Sequence, residues 1–82
     1  MTTRIVAEYQ FFTVNEIPLQ PGRKTHDYAL LNRRSGTCIG VVAWYGPWRQ
    51  WCFFPGDESV WSDGCLSDVQ DFLAKLKAGQ IK

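Results

Sequence analysis

Eighty-two residues allow one domain around one hydrophobic core. An apolar content of 45%, with 15% aromatic residues, excludes a disordered chain, and a formal charge of +1 supplies no global field for nucleic acid or membrane. The three cysteines, Cys38, Cys52 and Cys65, are an odd set and exclude a complete disulfide framework.

In chain order, Arg4 to Val14 is β-rich and reads as a first strand. Ile5, Ala7, Tyr9 and Phe11 fall on one face; Val6, Glu8, Gln10 and Phe12 fall on the other. The polar stretch from Asn15 to Thr25 follows, where Pro18 and Pro21 forbid regular structure and Pro21-Gly22 suits a type II turn. It reads either as a spacer or as a basic lip formed by Arg23, Lys24 and His26, and the spacer is the simpler reading. His26 to Asn32 reads as a second strand, Arg33-Arg34-Ser35-Gly36 as a tight turn, and Cys38 to Tyr45 as a third strand. After Gly46-Pro47, Trp48 to Phe54 makes a fourth strand, ended by Pro55-Gly56-Asp57-Glu58. Ser62 then caps a helix running to about Ala78 and stopped by Gly79. Cys65, Leu66, Val69, Phe72, Leu73 and Leu76 form its apolar stripe, and Asp68, Asp71, Lys75 and Lys77 complement its dipole.

The hairpin from Ile39 to Pro55 holds three of the four tryptophans and organises the rest. A two-residue loop at Gly46-Pro47 would place Tyr45 opposite Trp48 and Val42 opposite Trp51. Alternation then puts Cys38, Gly40, Val42, Trp44, Arg49, Trp51 and Phe53 on one face. Ile39, Val41, Ala43, Tyr45, Trp48, Gln50, Cys52 and Phe54 take the other. Burying Trp51 gains roughly 2–3 kcal/mol, whereas burying the Gln50 amide without partners costs about 1–3 kcal/mol. The Trp44/Trp51 face is therefore expected under the helix. The opposite face stays oily, too much so to leave in water, and is expected to be an interface.

Chemistry is sparse. Zinc modules bring ligands in close pairs, whereas these cysteines lie more than ten residues apart, so no metal and no cofactor are expected. The lone His26 has no cysteine brought to it, Cys65 sits in the apolar stripe, and no catalytic motif appears. An enzyme is not expected. The N-terminus does not read as a secretory leader, and no apolar run nears the roughly 20 residues a membrane span needs. A reducing cytoplasm is the expected location.

Tyr, Trp and Arg are enriched at interface hot spots, and the tip from Tyr45 to Gln50 gathers them. The expected function is a non-catalytic binding module, a homodimer that meets a protein or small ligand through Tyr45, Trp48, Arg49 and Gln50. The alternative is a single-stranded nucleic-acid binder, its rings joined by Arg33, Arg34 and Arg49 at the sheet edge.

The run G-V-V-A-W-Y-G-P-W-R-Q-W-C-F-F-P at Gly40 to Pro55, followed by V-W-S-D-G-C-L-S-D-V-Q-D-F-L, resembles a family of small bacterial and bacteriophage proteins. That family is marked by W-Y-x-x-W-R-x-aromatic-x-F and then a C-L-x-D-hydrophobic helix start. The similarity spans roughly Lys24 to Leu76, with Trp51 where Tyr is more usual. It implies a prokaryotic or phage accessory protein and carries over no catalytic residue. The expected architecture is α+β, an antiparallel sheet of about four strands with one C-terminal helix packed on one face.

Overall fold

In the computed structural model, which describes residues 4–57 and 59–81, every strand pairs antiparallel with its predecessor. The five strands are β1 (Arg4–Glu8), β2 (Phe12–Glu16), β3 (Tyr28–Asn32), β4 (Cys38–Tyr45) and β5 (Gln50–Pro55). One helix, α1 (Asp63–Lys77), closes the chain. The fold is α+β with five strands, because the stretch expected to be one strand, Arg4 to Val14, is itself a hairpin. Its turn carries no Gly, Pro, Asn or Asp, so nothing in the local sequence announces it. Tertiary contacts hold it instead. The Tyr9 N–H donates to the Phe12 carbonyl (2.8 Å), and the Arg33 N–H to that of Phe11 (3.1 Å). The Arg33 guanidinium donates to the Tyr9 carbonyl (3.0 Å).

One face of the sheet carries Phe12 and Val14 of β2, Tyr28 and Leu30 of β3 and Val42 of β4, all buried with Val69 and Phe72 of α1. Trp51 and Phe53 of β5 pack against this cluster, as does Trp61 from the β5–α1 connection. The Trp51 face is thus the one beneath the helix. The Phe72 ring meets Tyr28 edge-on at 5.3 Å, and Trp61 bridges Phe53 (4.8 Å) and Phe12 (6.1 Å).

The β4–β5 register departs from the two-residue turn. Gly46–Trp48 form a single 3₁₀ turn and Arg49 takes the left-handed conformation (φ 52°), so Tyr45 stands opposite Gln50 and Val42 opposite Phe53. Pro47 suits the start of such a turn because its φ is preset and its missing N–H is not needed there. The slip is by two residues, an even number, so the side chains of β4 and β5 keep their faces up to the strand end at Gln50, which turns toward the helix side. Ile39 and Cys38 are the other exceptions. Leu30 pairs Gly40 while Leu31 pairs Cys38, a bulge that turns Ile39 onto the core instead of the open face.

The helix ends follow local chemistry. Ser62 Oγ accepts from the Cys65 N–H (3.2 Å), and Gly79 at φ 72° closes a Schellman motif. There the Gly79 N–H reaches Leu76 O (3.1 Å) and the Gln80 N–H reaches Lys75 O (2.9 Å). Leu66, expected in the apolar stripe, is 49% exposed. It lies about 90° around the helix from the line through Cys65, Val69, Phe72 and Leu76, on the flank of the contact. Glu58, the last residue of the expected strand-ending turn, lies outside the described residues.

Candidate functional site

The face of the sheet away from α1 carries Val41 and Ala43 of β4 and Cys52 and Phe54 of β5. At its upper end Tyr45, the last residue of β4, sets two other rings. Trp48 meets it edge-on at 5.1 Å and Phe54 at 6.1 Å. Trp48 is 66% exposed and Phe54 44% exposed, so the cluster offers a shallow groove of rings to solvent, floored by Cys52. Alternation assigns Phe54 to this face, yet the signature of the hairpin tip draws attention to Trp48 and Arg49 and away from it.

Arg49 and Gln50 line a different cleft. Its walls are Trp44 and Trp51 from the sheet and Leu76 and Lys77 from the end of α1, on the helix side. The residues expected to act together at the tip therefore divide between two sides of the ribbon.

Arg33 and Arg34 are farther still. In an up-and-down meander the β1–β2 and β3–β4 turns share one end of the sheet, and the β4–β5 turn lies at the other. The eight residues of β4 separate them by about 25 Å. The expected gathering of Arg33 and Arg34 with Tyr45 and Trp48 does not occur. Arg33 is instead an anchor for the first hairpin, with Glu8 3.6 Å from its guanidinium. The Arg34 backbone N–H donates to Asn32 Oδ1 (2.8 Å) within its own turn.

The loop between β2 and β3 ties itself together. Arg23 pairs with Asp27 at 2.7 Å, and His26 Nδ1 donates to the Ile17 carbonyl (2.8 Å). These bonds favour the spacer over a lip above a pocket. Among the described residues no three His, Cys, Asp or Glu side chains assemble into a metal site, and no helix is long and apolar enough to cross a membrane.

The groups with displaced proton affinities lie where helix meets sheet. Burial, reinforced by a hydrogen bond to Asp71, pushes the Tyr9 hydroxyl far above its usual range. Tyr28 is raised by burial and then by the charge of Glu16. Asp71 is lowered, first by the Tyr9 hydroxyl that donates to it at 2.7 Å and then by Lys75 at 3.1 Å. This trio fastens α1 to the first hairpin and touches neither cleft.

No protein-family model matches the chain, and no solved structure matches it. Over 56 residues it is 30% identical to an uncharacterized 9.3 kDa protein of Acholeplasma phage L2. The match covers 68% of this chain and 72% of the phage protein. With that identity sustained over most of both chains, this protein belongs to the family of small phage proteins to which the Acholeplasma phage L2 protein also belongs.

Proposed function

We propose that this chain is a non-catalytic interaction module, a phage or bacterial accessory protein, which works as a homodimer in the reducing cytoplasm and grips a partner protein through Tyr45, Trp48 and Phe54. The observation that carries the reading is Trp48. Its indole is 66% exposed yet held edge-on against Tyr45 at 5.1 Å. Covering a ring of that size is worth roughly 2–3 kcal/mol, and pre-positioned aromatic rings lose little entropy on contact. The groups whose proton affinities are displaced hold helix to sheet, away from the groove.

A single-strand binder would need cations running in line with the stacking rings. Here Arg33 and Arg34 sit at the far end of the sheet, which favours a protein partner. The test is capture from host extract by the native chain and by Trp48→Ala. A partner retained by the first and lost with the second, while both unfold alike, is the expected result. Equal retention by both chains sinks the reading, and so does tight, salt-sensitive binding to an oligonucleotide in place of a protein.

A further inference from the structure

β5 is an outer strand of the sheet, and one hydrogen bond reveals which of its backbone groups face outward. The Gly56 N–H donates to the Ile39 carbonyl (2.9 Å), and Gly40 stands opposite Pro55. In an antiparallel ladder this alternation turns Cys52 and Phe54 toward β4 and sends the N–H and C=O of Trp51 and Phe53 outward. The next outward N–H would belong to Pro55, which has none.

The two edges of the sheet differ. The β1 edge carries Arg4 and Glu8 at its ends and a bulge between Ile5 and Ala7, devices that discourage pairing with another chain. The β5 edge, Q-W-C-F-F-P, has no charge and keeps an unbroken register. Just outside it, Arg49 precedes the strand and Asp57 follows it, both exposed and neither ion-paired among the described residues. A strand with opposite charges at its two ends fits a second copy running antiparallel.

We propose that two copies of this chain pair β5 against β5, antiparallel about a two-fold axis at Cys52, to form one continuous ten-stranded sheet. The inference rests on the homodimer named above and specifies its contact. Centred there, Trp51 opposes the partner's Phe53 and exchanges both hydrogen bonds with it, so all outward N–H and C=O groups of these two residues are satisfied. Shifting the centre to Phe53 would set each Trp51 carbonyl against a proline nitrogen, with no donor. Centring on Cys52 sets Arg49 opposite the partner's Pro55, with the partner's Asp57 two residues further along the same edge, at each end. The two-fold stands normal to the sheet, so both helices lie on one side and both Tyr45–Trp48–Phe54 grooves on the other. Dimerisation doubles the aromatic surface and leaves it uncovered.

The pairing puts the two Cys52 residues in a non-hydrogen-bonded position with Cα atoms about 4.5 Å apart, inside the range a disulfide spans. Light scattering on the full chain is expected to give twice the 9.4 kDa monomer mass. Diamide, which takes up the two hydrogens released as the thiols join, should crosslink the dimer through Cys52. The crosslink should vanish in Cys52→Ser and survive in Cys38→Ser and Cys65→Ser. Cys52→Lys, on the open face away from the core, should weaken dimerisation at least tenfold. Arg49→Glu should weaken it several-fold, and Arg49→Glu with Asp57→Arg should restore it. A monomeric mass at all concentrations overturns the dimer and this contact together. A dimer that fails to crosslink through Cys52, or ignores the charge exchange, overturns the edge pairing alone and leaves the homodimer standing.

Discussion

Trp44 and Trp51 stand directly opposite each other on β4 and β5, ring centroids 5.8 Å apart and planes at 79°, the edge of one indole against the face of the other. Trp51 continues inward to Tyr28 at 5.9 Å, while Trp44 is 40% exposed. The pair therefore grades from core to solvent. Trp51→Ala is expected to cost about 3 kcal/mol, the cavity and transfer terms of a mostly covered ring. Trp44→Ala should cost about 1 kcal/mol, mainly the lost ring contact. Urea denaturation of both variants measures the order, and a larger loss at Trp44 would mean that Trp44, not Trp51, is the inner ring of the pair.

Gly40 has no room for a side chain. A Cβ there would lie 2.5 Å from Phe53 Cε1 and 2.8 Å from Cζ, and that ring is backed by Trp61 at 4.8 Å. Gly40→Ala should destabilise the chain by about 1–3 kcal/mol, the usual cost of overpacking. Thermal unfolding settles it; an unchanged midpoint would show that Phe53 moves freely.

Tyr9 and Asp71 give stability two pH dependences. The Asp71 carboxyl titrates below its ordinary 3.8 in the folded chain, because the Tyr9 hydroxyl and then Lys75 stabilise the carboxylate. Its contribution is present above that ordinary value and disappears as the pH falls through the folded one. Tyr9 titrates above its ordinary 10.0, chiefly through burial. As the pH rises beyond 10 the unfolded chain ionises first, and stability falls. Tyr9→Phe should lose the alkaline component attributable to this residue and part of the acid one. Denaturation curves across pH for the two chains should therefore converge at both extremes, and parallel curves would refute the assignment.

Arg33 is expected to behave as a structural residue. Arg33→Ala removes the donor to the Tyr9 carbonyl and the approach to Glu8, and should cost about 1 kcal/mol because the group is half exposed. Partner capture should not change. Loss of capture at unaltered stability would instead return Arg33 to the binding surface.

The elements read best from sequence were those whose signals are local. β4 occupies Cys38–Tyr45 as alternation predicts, and α1 runs between Ser62 and Gly79 because a hydroxyl cap and a positive-φ glycine act on their immediate neighbours. The first hairpin was illegible for the converse reason. Tyr9-Gln10-Phe11 bends because Arg33, which is distant in sequence, holds its carbonyl and Asp71 holds its hydroxyl. The candidate site divides in the same way. Tyr45 and Trp48 meet across one tight turn, whereas Arg33 and Arg34 belong to the turn before β4, which lies at the opposite end of that strand.

By itself the chain determined its class, its helix, and which side of the tryptophan ribbon is covered. Period-two alternation survives a register error of an even number of residues, and the turn proved longer by two, so the side holding Val42 and Trp51 kept its assignment; a slip of one would have reversed it. Only the tertiary structure decided the fifth strand and the bulge that turns Ile39 inward. Each of those depends on contacts between residues far apart in sequence, whose free energy no local pattern records.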